Sequence, residues 1–288
     1  MTYLNALASE LAAVGIPPAR RRRILTEFED HLHEDPSAEL GAPGELAKQF
    51  ADELGTRLAR AAAFRAFAAL AFAGISLCAM LLAVGRMRGL TMSSTNQTPT
   101  PGWAAPVLML AVLAGQIALA AGGTALVRAC WLRNRPVINA REATVLARRS
   151  AVGVAAGAVA LLALPTLALA FPRQAGVAWT TIAWVVFGLG LCALAAAVPT
   201  LLAGLRLRPH VDGKAGDVID DLGPFAPAGL TPVRLAWLLA VAIVIALGAL
   251  GLVTDDPYDG LARGVADAIA CMTGFMVLGR YLGLRTTQ

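Results

Sequence analysis

Few side chains in this sequence are equipped for chemistry, and their spacing decides what each can do. His31-x-His33, followed by Glu34 and Asp35, has the residue types of a metal site. On a helix, positions i and i+2 diverge by about 200°, so the two imidazoles cannot meet on one ion and belong to a surface. Asp212, Asp217, Asp220 and Asp221 lack the glycine and closing glutamate of a calcium loop. No phosphate-binding G-x-x-x-x-G-K, no H-E-x-x-H and no G-x-S-x-G occurs, and His210 is the only other histidine. The chain is therefore expected to be no enzyme and to carry no cofactor or metal.

Two other sets of residues have a use. Arg20, Arg21, Arg22 and Arg23 form a basic run at the start of a helical pattern, where positive charge opposes the helix dipole. Glu27, Glu29 and Asp30 follow at helical spacing, so one reading is a solvated, ion-paired face. The other is a contact surface for anionic lipid or a partner, with Glu27 and Asp30 on its acidic side. In the apolar part, Asp267 is the only intramembrane carboxylate, and Gln116 is polar within another span. Such groups line transport paths in some bundles. A partnership with Arg263, one turn earlier, is the other use of Asp267.

The elements that position these residues follow from hydropathy. Of 288 residues, 57% are hydrophobic and only 15% charged, well below the roughly 25% charged of a soluble domain. A polytopic membrane protein is the class this implies. Ala66 to Val84 has no charged side chain over 19 residues. At 1.5 Å per residue it makes about 28 Å of helix, enough to cross a bilayer. Its late start excludes a cleaved signal peptide and makes it an anchor. Five more spans are expected, at about 104–127, 151–171, 179–204, 235–253 and 264–282. Gly89 to Trp103 is polar and uncharged and reads as a loop, and Pro172 to Ala178 as a short link.

Charge sets the orientation. Residues 1–60 carry about −3 and the remainder about +8, concentrated at span ends. With both termini in the cytoplasm, twenty Lys and Arg face inward and four outward. A bacterial inner membrane with an inward N-terminus and C-terminus follows. The pI near 9.4 accordingly reflects lipid rather than nucleic acid. Cys78, Cys130, Cys192 and Cys271 share no metal or redox spacing, so no disulfide is expected. Gly153-x-x-x-Gly157, with Gly122 and Gly123, suits close helix packing within the chain or in a homo-oligomer. Pro165 and Pro199 fall inside spans and would kink them. Val218, Ile219 and Leu222 among the aspartates between Arg206 and Thr231 suggest a short amphipathic helix at the inner interface, without an ion site, that meets the head.

Residues 1–60 read as a small helical head. Leu4, Leu7, Leu11 and Val14 mark one helix, ended by Gly15; Ile24, Leu25, Phe28 and Leu32 mark a second after Pro17 and Pro18. Leu46, Phe50 and Leu54 mark a third. About ten apolar side chains are too few for an independent core, so the head must lean on something else.

The string Arg23-Ile-Leu…Glu27…Glu29-Asp-His-Leu-His-Glu34, then Leu40-Gly-Ala-Pro43…Leu46-Ala…Phe50, resembles the HAAS-type domain over about residues 1–55. Its link from Asp35 to Leu40 is shorter than the acidic one of many relatives. The resemblance implies a signalling or membrane-regulating role, beside a PadR-like transcription regulator in some cases and on permease-like proteins in others. It brings no catalytic residue. The expected protein is thus all-α, with a three-helix cytoplasmic head at 1–60 and a six-span bundle at 61–288. Its expected role is a signalling scaffold without direct nucleic-acid contact, and a permease-like transport component is the alternative.

Overall fold

The computed structural model describes residues 3–35, 40–87, 103–170, 172–207, 209–216, 218–222, 229–253 and 257–284. Among them every regular element is helical. α1 (Tyr3–Ala13) and α2 (Pro18–Glu34) are joined by a tight turn at Gly15, whose φ of 83° suits a residue without Cβ. The Gly15 amide donates to the carbonyl of Ala12 at 3.0 Å and that of Ile16 to Leu11 at 3.1 Å. This doubly bonded helix end folds Ile16 back onto the apolar stripe of α1. α2 begins on Pro18, in the first turn, where a missing amide costs nothing.

α3 (Pro43–Met87) is the spine of the molecule, 45 residues without a break and about 67 Å long. Its buried stripe runs Ala47, Ala51, Leu54, Ala62, Ala66, Leu70 and Ala73, with half-buried Leu58 filling the step between. Steps of three and four keep these residues on one face of a helix. The upper part packs with Leu7, Leu11, Ile16 and Leu207, and the lower part with α5 and α6. The head's third helix and the first span are one helix, and position 60 lies inside it. That answers how so small a head is stabilised.

α4 (Ala104–Trp131) ends in a 3-10 turn, Leu132–Asn134, and α5 (Ala140–Ala170) follows. α6 (Pro172–Arg206) begins directly after, so Pro172 to Ala178, expected as a link, is helical. Proline fixes φ for a first turn, and nothing after it interrupts the helix. α3, α4, α5 and α6 pack on one another around an alanine-rich core. A short α7 (Val218–Leu222) lies where the amphipathic stretch was expected. α8 (Pro232–Val253) and α9 (Pro257–Leu278) form a hairpin that meets the rest chiefly through α9 against α4.

Among the described residues six helices, within α3, α4, α5, α6, α8 and α9, are long and apolar enough to cross a membrane. The chain therefore has the build of a multi-pass membrane protein. Helices α5 and α6 run through Pro165 and Pro199. Of the glycines expected to bring helices together, Gly122, Gly153 and Gly157 do so inside the chain, whereas a Cβ on Gly123 would meet nothing within 4 Å among the described residues. A Cβ on Gly157 would fall 2.5 Å from Leu70 Cδ2, and one on Gly122 would fall 2.6 Å from Leu70 Cδ1. Leu70 thus sits in a hollow made by glycines of two neighbouring helices. The stretch from Gly89 to Gly102 lies outside the described residues.

Candidate functional site

Three segments converge where the head joins the bundle. The first is one face of α3, on which Asp52, Glu53, Arg57 and Arg60 recur at helical spacing. The second is the turn between α4 and α5, and the third is the extended segment 209–216 after α6. Each is fastened to the others by backbone groups. Thr56 Oγ1, fully buried, accepts from the Ile138 amide at 3.0 Å. Asp52 Oδ1 accepts from the His210 amide at 2.5 Å and lies 3.1 Å from His210 Nδ1. The Ala140 amide donates to the Val211 carbonyl at 2.9 Å, and Asn139 Nδ2 to the Lys214 carbonyl at 3.0 Å. Asn139 also caps α5, its Oδ1 accepting from the Glu142 amide at 2.7 Å.

Gly55 explains why the extended segment can lie so close. A Cβ there would meet Pro209 Cδ at 2.9 Å, Pro209 N at 3.0 Å and the Leu207 carbonyl oxygen at 3.1 Å. Below the turn, Arg128 Nη2 donates to Glu142 Oε1 at 2.8 Å, with side chains only 11% and 5% exposed. A buried pair of this kind fixes the angle between α4 and α5, since losing either partner strands a charge.

Between the three segments is a cleft of about 500 Å³ lined by Arg57, Arg60, Arg133 and Arg135, with Asp52 and Glu53 on one wall. The acids are already engaged. Glu53 Oε1 accepts from Arg57 Nη2 at 2.5 Å, and Asp52 binds His210. Arg60 Nη2 donates to the Arg135 carbonyl, and Arg60 Nε is shielded from water without an acceptor among the described residues. Arg133 and Arg135 are exposed and make no ion pair among the described residues. Guanidinium groups in this density match the planar, bidentate geometry of phosphate or carboxylate.

The residues singled out from sequence lie elsewhere. Arg20, Arg22 and Arg23 are exposed on α2 and Arg21 is half-buried, its Nε shielded without an acceptor among the described residues. Arg23 Nε donates to Glu27 Oε1 at 2.9 Å, a pair 83% and 64% exposed. Such a pair stabilises by no more than about 1 kcal/mol, which leaves the face available for contact. Asp30 is exposed on the same helix. Asp267 on α9 and Gln116 on α4 are both half-buried, and neither lines the cleft. No hydrogen bond joins them among the described residues, and the Arg263 side chain is not among those described.

Sequence reading missed the cleft because its basic groups come from positions far apart in the chain. The signals were Arg57-x-x-Arg60 at the head of a span and Arg133-Asn-Arg135 just beyond another. In the sequence both read only as charges that orient the spans. No protein-family model, curated protein or solved structure matches this chain.

Proposed function

We propose that this chain is a non-enzymatic multi-pass protein of a bacterial cytoplasmic membrane that acts as a signalling or regulatory scaffold. The observation that carries this reading is the unbroken α3, along which one continuous buried stripe serves first the head and then the bundle. A head built in this way cannot turn independently of the span below it. Docking of Leu207, from the end of α6, into the head core adds a second tie. Binding at the head and rearrangement in the bundle would then be one event, as an energetic link between two sites requires.

The head would lie in the cytoplasm, with both termini on that side, on the strength of the basic residues at the span ends. Its contact face would be Arg20, Arg21, Arg22 and Arg23 with Glu27 and Asp30. The HAAS-like pattern suggests a PadR-like regulator as the partner. Crosslinking full-length protein in its native membrane and purifying it tests this. Wild type should recover a soluble partner that Arg20→Glu/Arg22→Glu/Arg23→Glu does not. Recovery of the same proteins by both would remove the role assigned to this face.

A further inference from the structure

We propose that the cleft between α3, the α4–α5 turn and the segment 209–216 binds a phosphate group, supplied by an anionic lipid headgroup or by a soluble phosphate. Three observations carry this, and none depends on what the head binds. The first is a surplus of donors. Four arginines line the cleft, while its two acids are held by Arg57 and by the His210 amide.

The second is the state of Arg60. One nitrogen reaches the Arg135 carbonyl and so anchors the turn, while Nε is dry and unmatched among the described residues. A guanidinium partly covered in this way is poorly hydrated, and an anion held on the same wall by Arg57, Arg133 and Arg135 would offset the cost of its charge. The third is depth. The cleft lies at the ends of two apolar spans, its lining on this turn beginning at Arg133, two positions beyond Trp131, which is half exposed at the end of α4. Exposed tryptophan at a span end marks the level of lipid headgroups. The cleft's volume, about 500 Å³, lies within the range of small-molecule sites and exceeds what a single water needs.

The test uses full-length protein in nanodiscs of phosphatidylcholine with or without phosphatidylglycerol, counting retained lipid by native mass spectrometry. Wild type should retain phosphatidylglycerol preferentially. Arg57→Gln/Arg133→Gln/Arg135→Gln should lose that preference on the order of tenfold, while Arg141→Gln/Arg206→Gln, on exposed side chains outside the cleft, keeps it. If lipid shows no preference, inorganic phosphate should raise the wild-type melting temperature and leave the cleft variant unmoved, which assigns the source as soluble. Arg133→Glu, on an exposed side chain, serves if the triple variant fails to fold. A phosphatidylglycerol preference untouched in the cleft variants, or no response to either probe, overturns the proposal.

Discussion

Arg149 on α5 holds the far end of the chain, its Nε donating to the carbonyl of Leu282, 133 positions later, at 2.7 Å. Its Nη2 donates to the Gly283 carbonyl at 2.8 Å and its Nη1 to that of Thr124 at 3.3 Å. The side chain is fully buried. A single guanidinium thus joins α4, α5 and the turn that closes α9, and it is a principal tie between the peripheral hairpin and the bundle.

Replacing it should therefore act at a distance. Arg149→Ala leaves buried carbonyls without their charged donor and should destabilise the fold by about 3 kcal/mol or more. Arg149→Lys, with one compact ammonium in place of a fork, should recover only part. Thermal unfolding in detergent checks the order. Limited proteolysis should cut first near the C-terminal turn.

The hollow around Leu70 gives a paired prediction. Gly157→Ala pushes a methyl against Leu70 Cδ2 and should cost about 1–3 kcal/mol, as overpacking does. Leu70→Ala alone leaves a cavity and is also destabilising. Together they should cost less than the sum, because each removes the other's problem. Additive losses in a double-mutant cycle would place the strain elsewhere.

Gly55→Ala tests the junction. The added carbon meets backbone atoms of Leu207 and Pro209, which cannot rotate away. The segment 209–216 should lift from α3, and the His210–Asp52 contact should break. Faster protease cleavage within 209–216, with the spans still folded, is the expected result.

Much of this architecture is legible in sequence because lipid imposes a simple rule. Apolar runs with few charges, such as Ala66 to Val84, fall in helices, and six helices among the described residues are long and apolar enough to span. The short helix at Val218 was legible from three apolar residues among aspartates. The continuity of α3 was not. Arg57 and Arg60 suggested a boundary between soluble and apolar segments, whereas helix formation is indifferent to that change of surroundings and depends on the absence of Gly–Pro breaks. The cleft was invisible for a different reason. Arg57 and Arg135 line one cleft only because Thr56, Asp52 and Asn139 fix three backbone segments, and such cross-links leave no periodic trace.

Asp267→Asn separates the scaffold from a transport role. If the protein is a scaffold, recovery of a soluble partner and stability should both be close to wild type, since Asp267 makes no hydrogen bond among the described residues. Loss of function in this variant, with the head intact, would support a permease-like component instead.

The central claim is that head and bundle are one body, and a distance measurement addresses it most directly. Spin labels at Asp30 on α2 and Arg141 on α5, both exposed, would be placed after replacing the four native cysteines with alanine. Pulsed electron resonance on the protein in nanodiscs then reads the head-to-bundle separation. A single narrow distribution is predicted, and it should broaden when Gly55→Ala loosens the junction. A broad distribution in the otherwise unaltered protein would mean that the head moves independently of its span, which contradicts the account.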